Sequence, residues 1–269
     1  MAKCDETYPV WRHEEGRPAR RERDDVVREE PLEIRVAGRG VGVTMRTPGH
    51  DEELVLGFLV GEGVLTKPEE VEHVRRCGQS PGDVLDVIVA GPVAVDFARL
   101  TRHVFASSSC GVCGSATIEA VRKQFPALRA GPRVAAGVLH GLAATLRDSQ
   151  PTFDKTGGLH AAGLFDATGR LLLAREDVGR HNAVDKVVGH ALRAGLLPLS
   201  AHVLLVSGRV SFEIVQKALG AGVAVVAAVS APSSLAIDLA EASNITLIGF
   251  LRPGRFNVYA HPERIDGIG

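Results

Sequence analysis

The chain has 269 residues, 45% hydrophobic and 23% charged, with a mean hydropathy of +0.09, which fits a soluble globular protein that buries a full core and divides into two lobes. A formal net charge of −1 excludes a global field for nucleic acid or an acidic membrane, so any anion site has to be local. No apolar run is long enough to span a bilayer, no signal-peptide core opens the sequence, and four unevenly spaced cysteines (Cys4, Cys77, Cys110, Cys113) make no disulfide scaffold; the expectation is a reduced, cytoplasmic protein.

Residues 1–30 hold seven Lys/Arg and nine Asp/Glu with few apolar residues, and read as a flexible, solvated arm. From Pro31 the alternation Leu32, Ile34, Val36, then Val41, Val43, Met45 predicts a hairpin turning at Ala37–Gly40. A helix follows over 51–63 with Asp51 as its cap, and Val84 to Val89 reads as a strand. The cysteine loop follows the stretch around Val104-Phe105 and precedes a helix. Ile118, Val121 and Phe125 then mark a helix, and Val138, Leu139, Leu142 and Leu146 mark a second.

After Phe153 the texture changes. Segments 158–166 and 170–177 read as strands around a turn at Asp166–Gly169. Helices at 182–195, 211–222 and 233–243 then alternate with strands at 202–208, 223–232 and 245–255. The apolar runs 203–206 and 223–229 lack alternation, which suits strands covered on both faces, and the alternating units predict an α/β layer with parallel crossovers. The expected division is an arm (1–30), a small α+β lobe (31–109), a cysteine loop with helices (110–150) and an α/β ligand-binding domain (151–269).

Three predicted strands end in polar loops: Ser207-Gly208-Arg209, Ser230-Ala231-Pro232 and Leu251-Arg252-Pro253-Gly254-Arg255. Ligands of open α/β sheets bind outside the carboxyl ends of strands, and two of these loops lead into helices whose free N–H groups favour anions. One such loop reads as helix punctuation with an exposed arginine; three at equivalent strand ends predict a site for a phosphorylated or nucleotide-like ligand, held in part by Arg209, Arg252 and Arg255. The segment Arg175–Asn182 is dense in charge and enters a helix, which makes Arg180, His181 and, one turn beyond Asn182, Lys186 further candidates. His160, in Gly157-Gly158-Leu159-His160, is a weaker one.

Cys110-Gly111-Val112-Cys113 lies among small residues, Ser107-Ser108-Ser109 before and Gly114-Ser115 after. Two thiols so spaced bind a metal, cycle as a disulfide or carry sulfur as a persulfide. Structural zinc wants four ligands, and no second CxxC or HxxxH is present. A following helix lowers the thiol pKa, which suits redox exchange and sulfur transfer alike.

The series SSSCGVCG, DKTGGLHAAG, REDVGRHNAVDKVVG, SGRVSFEIVQKA, VSAPSSLAIDLAE and ITLIGFLRPGRFNVY resembles the FdhD family of formate dehydrogenase accessory sulfurtransferases, over Pro31 to Ile265. The resemblance implies a sulfurtransferase that takes sulfur from a cysteine desulfurase as a cysteine persulfide. The acceptor is the molybdenum cofactor in its bis-guanine-dinucleotide form, a bound substrate destined for formate dehydrogenase, with no permanently bound metal. By position in the motif, Cys110 is the persulfide carrier and Cys113 its helper. The family's cofactor-binding stretch falls on Phe250, Leu251, Arg252, Pro253, Gly254 and Arg255. The resemblance also implies a homodimer and a cytidine-deaminase-like, three-layer α/β C-terminal domain behind the small N-terminal lobe. Deaminase chemistry is not expected: zinc deaminases carry H-x-E, and here His160 is followed by Ala161-Ala162. Readings from other classes are a cofactor-carrying chaperone without sulfur transfer, a zinc-stabilised interaction module and a CxxC reductase.

Overall fold

The computed structural model describes residues 3–77, 84–91, 93, 95–98, 100 and 114–268. Cys110, Cys113 and the stretch around Val104-Phe105 lie outside the described residues.

The first segment departs from the sequence reading. It forms an antiparallel ribbon, β1 (Asp5–Arg12) with β2 (Arg20–Val27), registered from Asp5↔Val27 to Arg12↔Arg20. Some of the polar residues that suggest a solvated arm bond between the strands, on the diagonal or directly across. Arg12 meets Glu22 at 3.1 Å, and the Thr7 hydroxyl donates to Asp25 at 2.8 Å.

The predicted hairpin is β3 (Glu30–Val36) and β4 (Arg39–Arg46). Its turn is two residues, tighter than expected: Ala37 and Gly38 both take positive φ, 49° and 81°, which matches the twist of the flanking strands. Helix α1 spans Asp51–Gly61, but Asp51 does not cap it. His50 occupies the cap in a left-handed conformation, and Asp51 opens the helix with its carboxylate turned to the buried Arg46 at 3.0 Å. Strands β5 (Val71–Arg76) and β6 (Val84–Val89) complete a four-stranded sheet of order β4-β3-β6-β5.

Helix α2 (Gly114–Gln124) follows the cysteine motif; β7 (Val134–Ala135), α3 (Ala136–Asp148) and α4 (Pro151–Thr156) lead to the larger sheet. That sheet comprises β8 (His160–Asp166), β9 (Leu171–Asp177), β10 (His202–Val206), β11 (Val225–Ala228), β12 (Thr246–Arg252) and β13 (Arg255–Ala260), in the order β13-β12-β11-β10-β8-β9. Helices α5 (Arg180–Arg193), α6 (Phe212–Gly220) and α7 (Ser234–Ser243) alternate with its strands, and a short β14 (Ile265–Asp266) pairs with β7. Strands β10, β11 and β12 are parallel, as expected of crossovers through α6 and α7, while β8, β9 and β13 pair antiparallel. The chain is therefore an α/β fold with mixed sheets.

The last predicted strand end is a hairpin instead of an open loop. β12 runs to Arg252, Pro253-Gly254 turns the chain with Gly254 at φ 78°, and Arg255 returns in β13 opposite Arg252. A Pro-Gly pair at the tip of two apolar-alternating runs is sufficient cause.

Core residues alternate along the strands between the two faces of the large sheet. Leu204 and Val206 of β10 join one cluster with α1, α5, α6, α7 and the inner face of the small sheet (Leu32, Ile34, Leu85, Val87). Val203 and Leu205 face the other way, toward Leu139, Leu142 and Leu146 of α3. Helices α1 and α5 cross with their backbones almost touching. A Cβ on Gly57 would fall 1.8 Å from the Asp185 carbonyl oxygen, and one on Gly189 would fall 1.8 Å from that of Glu53. Only glycine fits at either position, and the crossing locks the small sheet's helix onto the helix that borders the site.

Candidate functional site at the sheet edge

The three polar loops do converge on one edge of the large sheet. Ser207 continues the β8–β10 ladder beyond its last strand residue: its N–H donates to the Ala161 carbonyl at 2.9 Å, and its hydroxyl accepts from the Ala161 N–H at 2.8 Å. The next two loops are tied by main-chain bonds. Val210 N–H donates to Ala231, Ser233 N–H to Val210, and Phe250 N–H to the Ser230 carbonyl at 3.1 Å. Gly249 makes the last contact possible, because a Cβ there would sit 2.9 Å from the Pro232 ring. Because α5, α6 and α7 each start where a strand or its loop ends at this edge, their N-termini open toward it.

The residues of the stretch 250–255 have different environments. Phe250 is held at φ 54° and is 44% exposed, whereas Leu251 is fully buried in the core under the sheet. Arg252 turns its guanidinium back on the main chain, donating to the carbonyls of Leu251 at 2.8 Å and Val229 at 2.5 Å. Pro253 and Gly254 form the exposed tip, and Arg255 is exposed on the returning strand.

The charged segment ahead of α5 splits by direction. Its inward half is a closed network. Asp177, fully buried, meets the Lys186 ammonium at 2.7 Å and accepts from the N–H groups of Thr47 and Gly179 and from the Asn182 amide. Lys186 also donates to the carbonyls of Thr47 at 3.0 Å and Glu176 at 3.2 Å. These three bonds use all three ammonium donors, so Lys186 is a buried tie between β4, β9 and α5 and offers nothing to a ligand at the edge. Arg175 forms a two-pronged pair with Glu53 of α1 at 2.6 and 2.9 Å, and His190 joins it at 3.0 Å. Burial alone would lift the Glu53 pKa; hydrogen bonds from His50, Arg175 and His190 outweigh it and hold the carboxyl below the usual range. Glu176 accepts the first N–H groups of α4, from Thr152 and Phe153.

The outward half comprises Arg180, His181 and the residues they meet. His181 Nε2 lies 2.9 Å from the Ser211 hydroxyl and 3.8 Å from the Glu213 carboxylate. Burial, with the charges of Arg180 and Lys217, pushes His181 down to about 4, so it is a neutral imidazole at pH 7. His160 is shifted the same way by burial, Arg180 and Arg209. Its ring and the Arg180 side chain meet over Gly208: a Cβ there would be 3.2 Å from His160 Nδ1 and 3.5 Å from Arg180 Cδ. Thus Arg180, His181, Ser207, Arg209 and Ser230 lie along one edge, His160 joins them, and Lys186 and the Leu251 side chain point away. Ser211 and Glu213 are neighbours that the sequence did not single out; their one signal is their place in the first turn of a helix that follows a polar strand end.

The FdhD/NarQ family model matches residues 27–266. The chain belongs to the FdhD/NarQ family. Sulfur carrier protein FdhD of Mycolicibacterium paratuberculosis is 52% identical over 250 residues, covering 90% of this chain and 92% of that one. Sulfur carrier protein FdhD of Streptomyces avermitilis is 49% identical over 278 residues, covering 98% and 97%. A crystal structure assigned to a formate dehydrogenase accessory protein from Desulfotalea psychrophila superimposes with a TM-score of 0.78 at 27% identity, covering 98% of this chain and all of that one. The β1–β2 ribbon precedes the family-matched region almost entirely. Among the described residues no helix is long and apolar enough to cross a membrane.

Proposed function

We propose that this protein is a sulfur carrier in the maturation of formate dehydrogenase, taking sulfur from a cysteine desulfurase as a persulfide on Cys110 and delivering it to the molybdenum cofactor in its bis-guanine-dinucleotide form. One observation carries the reading: relatives named sulfur carriers share about half their residues with this chain across nine-tenths or more of both. The SSSCGVCG motif supplies the nucleophile that such carriage needs.

The chemistry balances on the two cysteines. The Cys110 thiolate attacks the outer sulfur of the donor's persulfide, forming Cys110–S–SH after proton uptake and releasing the donor thiolate. Cys113 immediately precedes Gly114, the first residue of α2, and a helix N-terminus favours thiolates. Attack of the Cys113 thiolate on Cys110 Sγ forms a disulfide and expels the outer sulfur as hydrosulfide, which passes to molybdenum; the two thiols supply the two electrons. A cellular thiol then reduces the disulfide for the next round. The guanine dinucleotides of the substrate occupy the sheet edge, where the loops at 207–211, 229–233 and 250–255 meet. We further propose that the carrier acts in the cytoplasm as a homodimer.

The test is intact-protein mass spectrometry after incubation with a cysteine desulfurase and cysteine. A sulfur adduct is expected on wild type and on Cys113→Ala, and none on Cys110→Ala. An active desulfurase that leaves wild type unmodified would show a cofactor chaperone without sulfur transfer.

A further inference from the structure

We propose that the outer half of one face of the β1–β2 ribbon, built on Trp11, Arg21 and Arg23, docks an acidic segment of a partner protein. The inference goes beyond sulfur carriage and does not depend on it.

The register sorts the side chains of the ribbon between two faces. Tyr8, Arg12, Arg20, Glu22 and Asp24 share one face, and its charges close on one another. Arg12 meets Glu22 at 3.1 Å and Asp24 at 3.9 Å, Arg20 meets Glu22, and the Tyr8 hydroxyl donates to Glu6 at 3.2 Å. The other face carries the directly opposed pairs Thr7–Asp25, Pro9–Arg23 and Trp11–Arg21. Thr7 and Asp25 are bonded to each other, but the side chains of Arg21 and Arg23 make no ion pair and no hydrogen bond among the described residues. Charge on this second face is divided along its length. Asp5 and Asp25 lie half-buried toward the base, while Arg21 and Arg23 are exposed toward the tip. The outer half therefore holds two unopposed guanidinium groups beside an exposed Pro9 and an indole that is 73% exposed.

The fold holds this face out for contact. A two-stranded ribbon is marginal by itself, and here the base is fastened to the body. The Arg28 N–H donates to the Cys4 carbonyl at 2.9 Å, the Cys4 thiol donates to the Pro48 carbonyl at 3.2 Å, and Val27 packs so closely on Gly158 that a Cβ there would fall 3.0 Å from Val27 Cγ1. Trp11 lies at the far end from these ties and leaves in water an indole of a kind that is highly buried on average. A partner that covers it recovers that burial. Tryptophan and arginine are the residues that carry most binding energy at protein interfaces, and a guanidinium fork pairs with a carboxylate through two parallel bonds. The matching occupant is a segment with carboxylates on either side of an apolar side chain, the carboxylates on Arg21 and Arg23 and the apolar group on Trp11 and Pro9. A phosphate backbone fits less well: Glu14 and Glu15 in the turn, and Glu22 and Asp24 on the back, repel it, and the chain as a whole carries a net charge of −1.

Trp11 is the one tryptophan of the chain, so its emission reports on this face directly. The full-length protein is titrated with a short peptide of alternating glutamate and leucine, and with the lysine counterpart as control. The glutamate peptide is expected to give a saturable blue shift and to protect Trp11 from acrylamide quenching; the lysine peptide should do neither. Arg21→Gln combined with Arg23→Gln, which loses no described partner, should weaken the glutamate peptide about tenfold, the worth of two exposed charge pairs. Trp11→Ala, followed by the anisotropy of a fluorescein-labelled peptide, should weaken it as well. Arg129→Gln combined with Arg170→Gln makes the same change of charge at exposed places away from the ribbon and should leave the affinity as in wild type. No saturable response in wild type, or an equal loss in the distant pair, overturns the docking face. Tighter binding of a thymidine oligonucleotide of matching charge at about 0.15 M salt would assign the face to nucleic acid and overturn it too. The persulfide adduct on Cys110, measured separately, stands or falls on its own.

Discussion

Between α1 and α5 the buried charges are matched within ion-pair distance: Arg46 with Asp51, Arg175 with Glu53, Asp177 with Lys186, Asp185 with Lys217. A few residues along the same chain, at the sheet edge, Arg180 and Arg209 have no such match among the described residues. The contrast separates two uses of charge. A buried ion pair repays its desolvation only when each partner is present and bonded, so the interior set is structural and intolerant of single losses. An unpaired cation costs little where water reaches it, as at the exposed Arg209, while the buried, unpartnered Nε of Arg180 carries a cost. Density of charge in a sequence segment is therefore a poor guide to function; whether the charges close on one another is the better one.

The comparison breaks hardest at Lys186. Lys186→Ala leaves the Asp177 carboxylate buried with only neutral donors, a loss of about 3–5 kcal/mol, read as a fall on the order of 10 °C in Tm. Asp177→Asn combined with Lys186→Met should recover part of it, since the uncompensated charge is gone. A Lys186→Ala variant that melts with wild type would mean that the pair contributes nothing to the interior. Gly57→Ala comes next. Its methyl would have to displace the Asp185 backbone from 1.8 Å, and overpacking of this kind costs about 1–3 kcal/mol, with Gly137→Ala of α3 as a control whose added methyl meets nothing within 4 Å. The control should be neutral or stabilising; equal losses at both glycines would remove the close crossing as the cause. Arg180→Gln and Arg209→Gln sharpen the other side. Each should shift stability by no more than about 0.5 kcal/mol in urea unfolding, because no described partner is lost. A loss as large as that of Lys186→Ala would show that these arginines belong to the closed network after all.

Much of the fold could be read from the chain because apolar period and glycine placement were unambiguous there. The 30–46 hairpin, α1, β6 and the alternation of α5, α6 and α7 with β10, β11 and β12 all fall where the pattern puts them. The ribbon was missed because its strands carry few apolar residues; part of its pairing lies in diagonal cross-strand charge, as between Arg12 and Glu22, which only the register reveals. Strand β13 was missed because Pro253-Gly254 looked like the end of the sheet, when it is a turn within it. Within the site, the convergence of the three loops followed from fold class, since parallel crossovers bring strand ends to one edge. The direction of each side chain did not follow. Arg180 and Lys186 sit on one helix six residues apart, yet Lys186 turns toward Asp177 and the Thr47 carbonyl, partners supplied by β9 and the chain after β4. Asp177 is near in sequence, but no local pattern encodes the Thr47 carbonyl, more than a hundred positions away.

The smallest effect concerns His181, which lies where the two regions meet. Its pKa falls from 6.5 to about 4 in the folded protein because burial and the Arg180 and Lys217 charges disfavour the imidazolium. The unfolded chain therefore binds the proton more readily. The contribution of neutral His181 to stability is complete above pH 6.5 and is lost as the pH falls toward 4. His160 and Glu213, both lowered in the folded protein, add to the same slope, His160 as its imidazole titrates and Glu213 as its carboxylate does. Urea midpoints for wild type and His181→Asn at pH 7 and at pH 4.5 isolate the term, since the carboxylates common to both proteins cancel in the difference. Wild type should lose more than the variant on acidification. Parallel losses would mean that burial and the charges of Arg180 and Lys217 do not press on this imidazole in solution, and that the edge is less positive than its geometry implies.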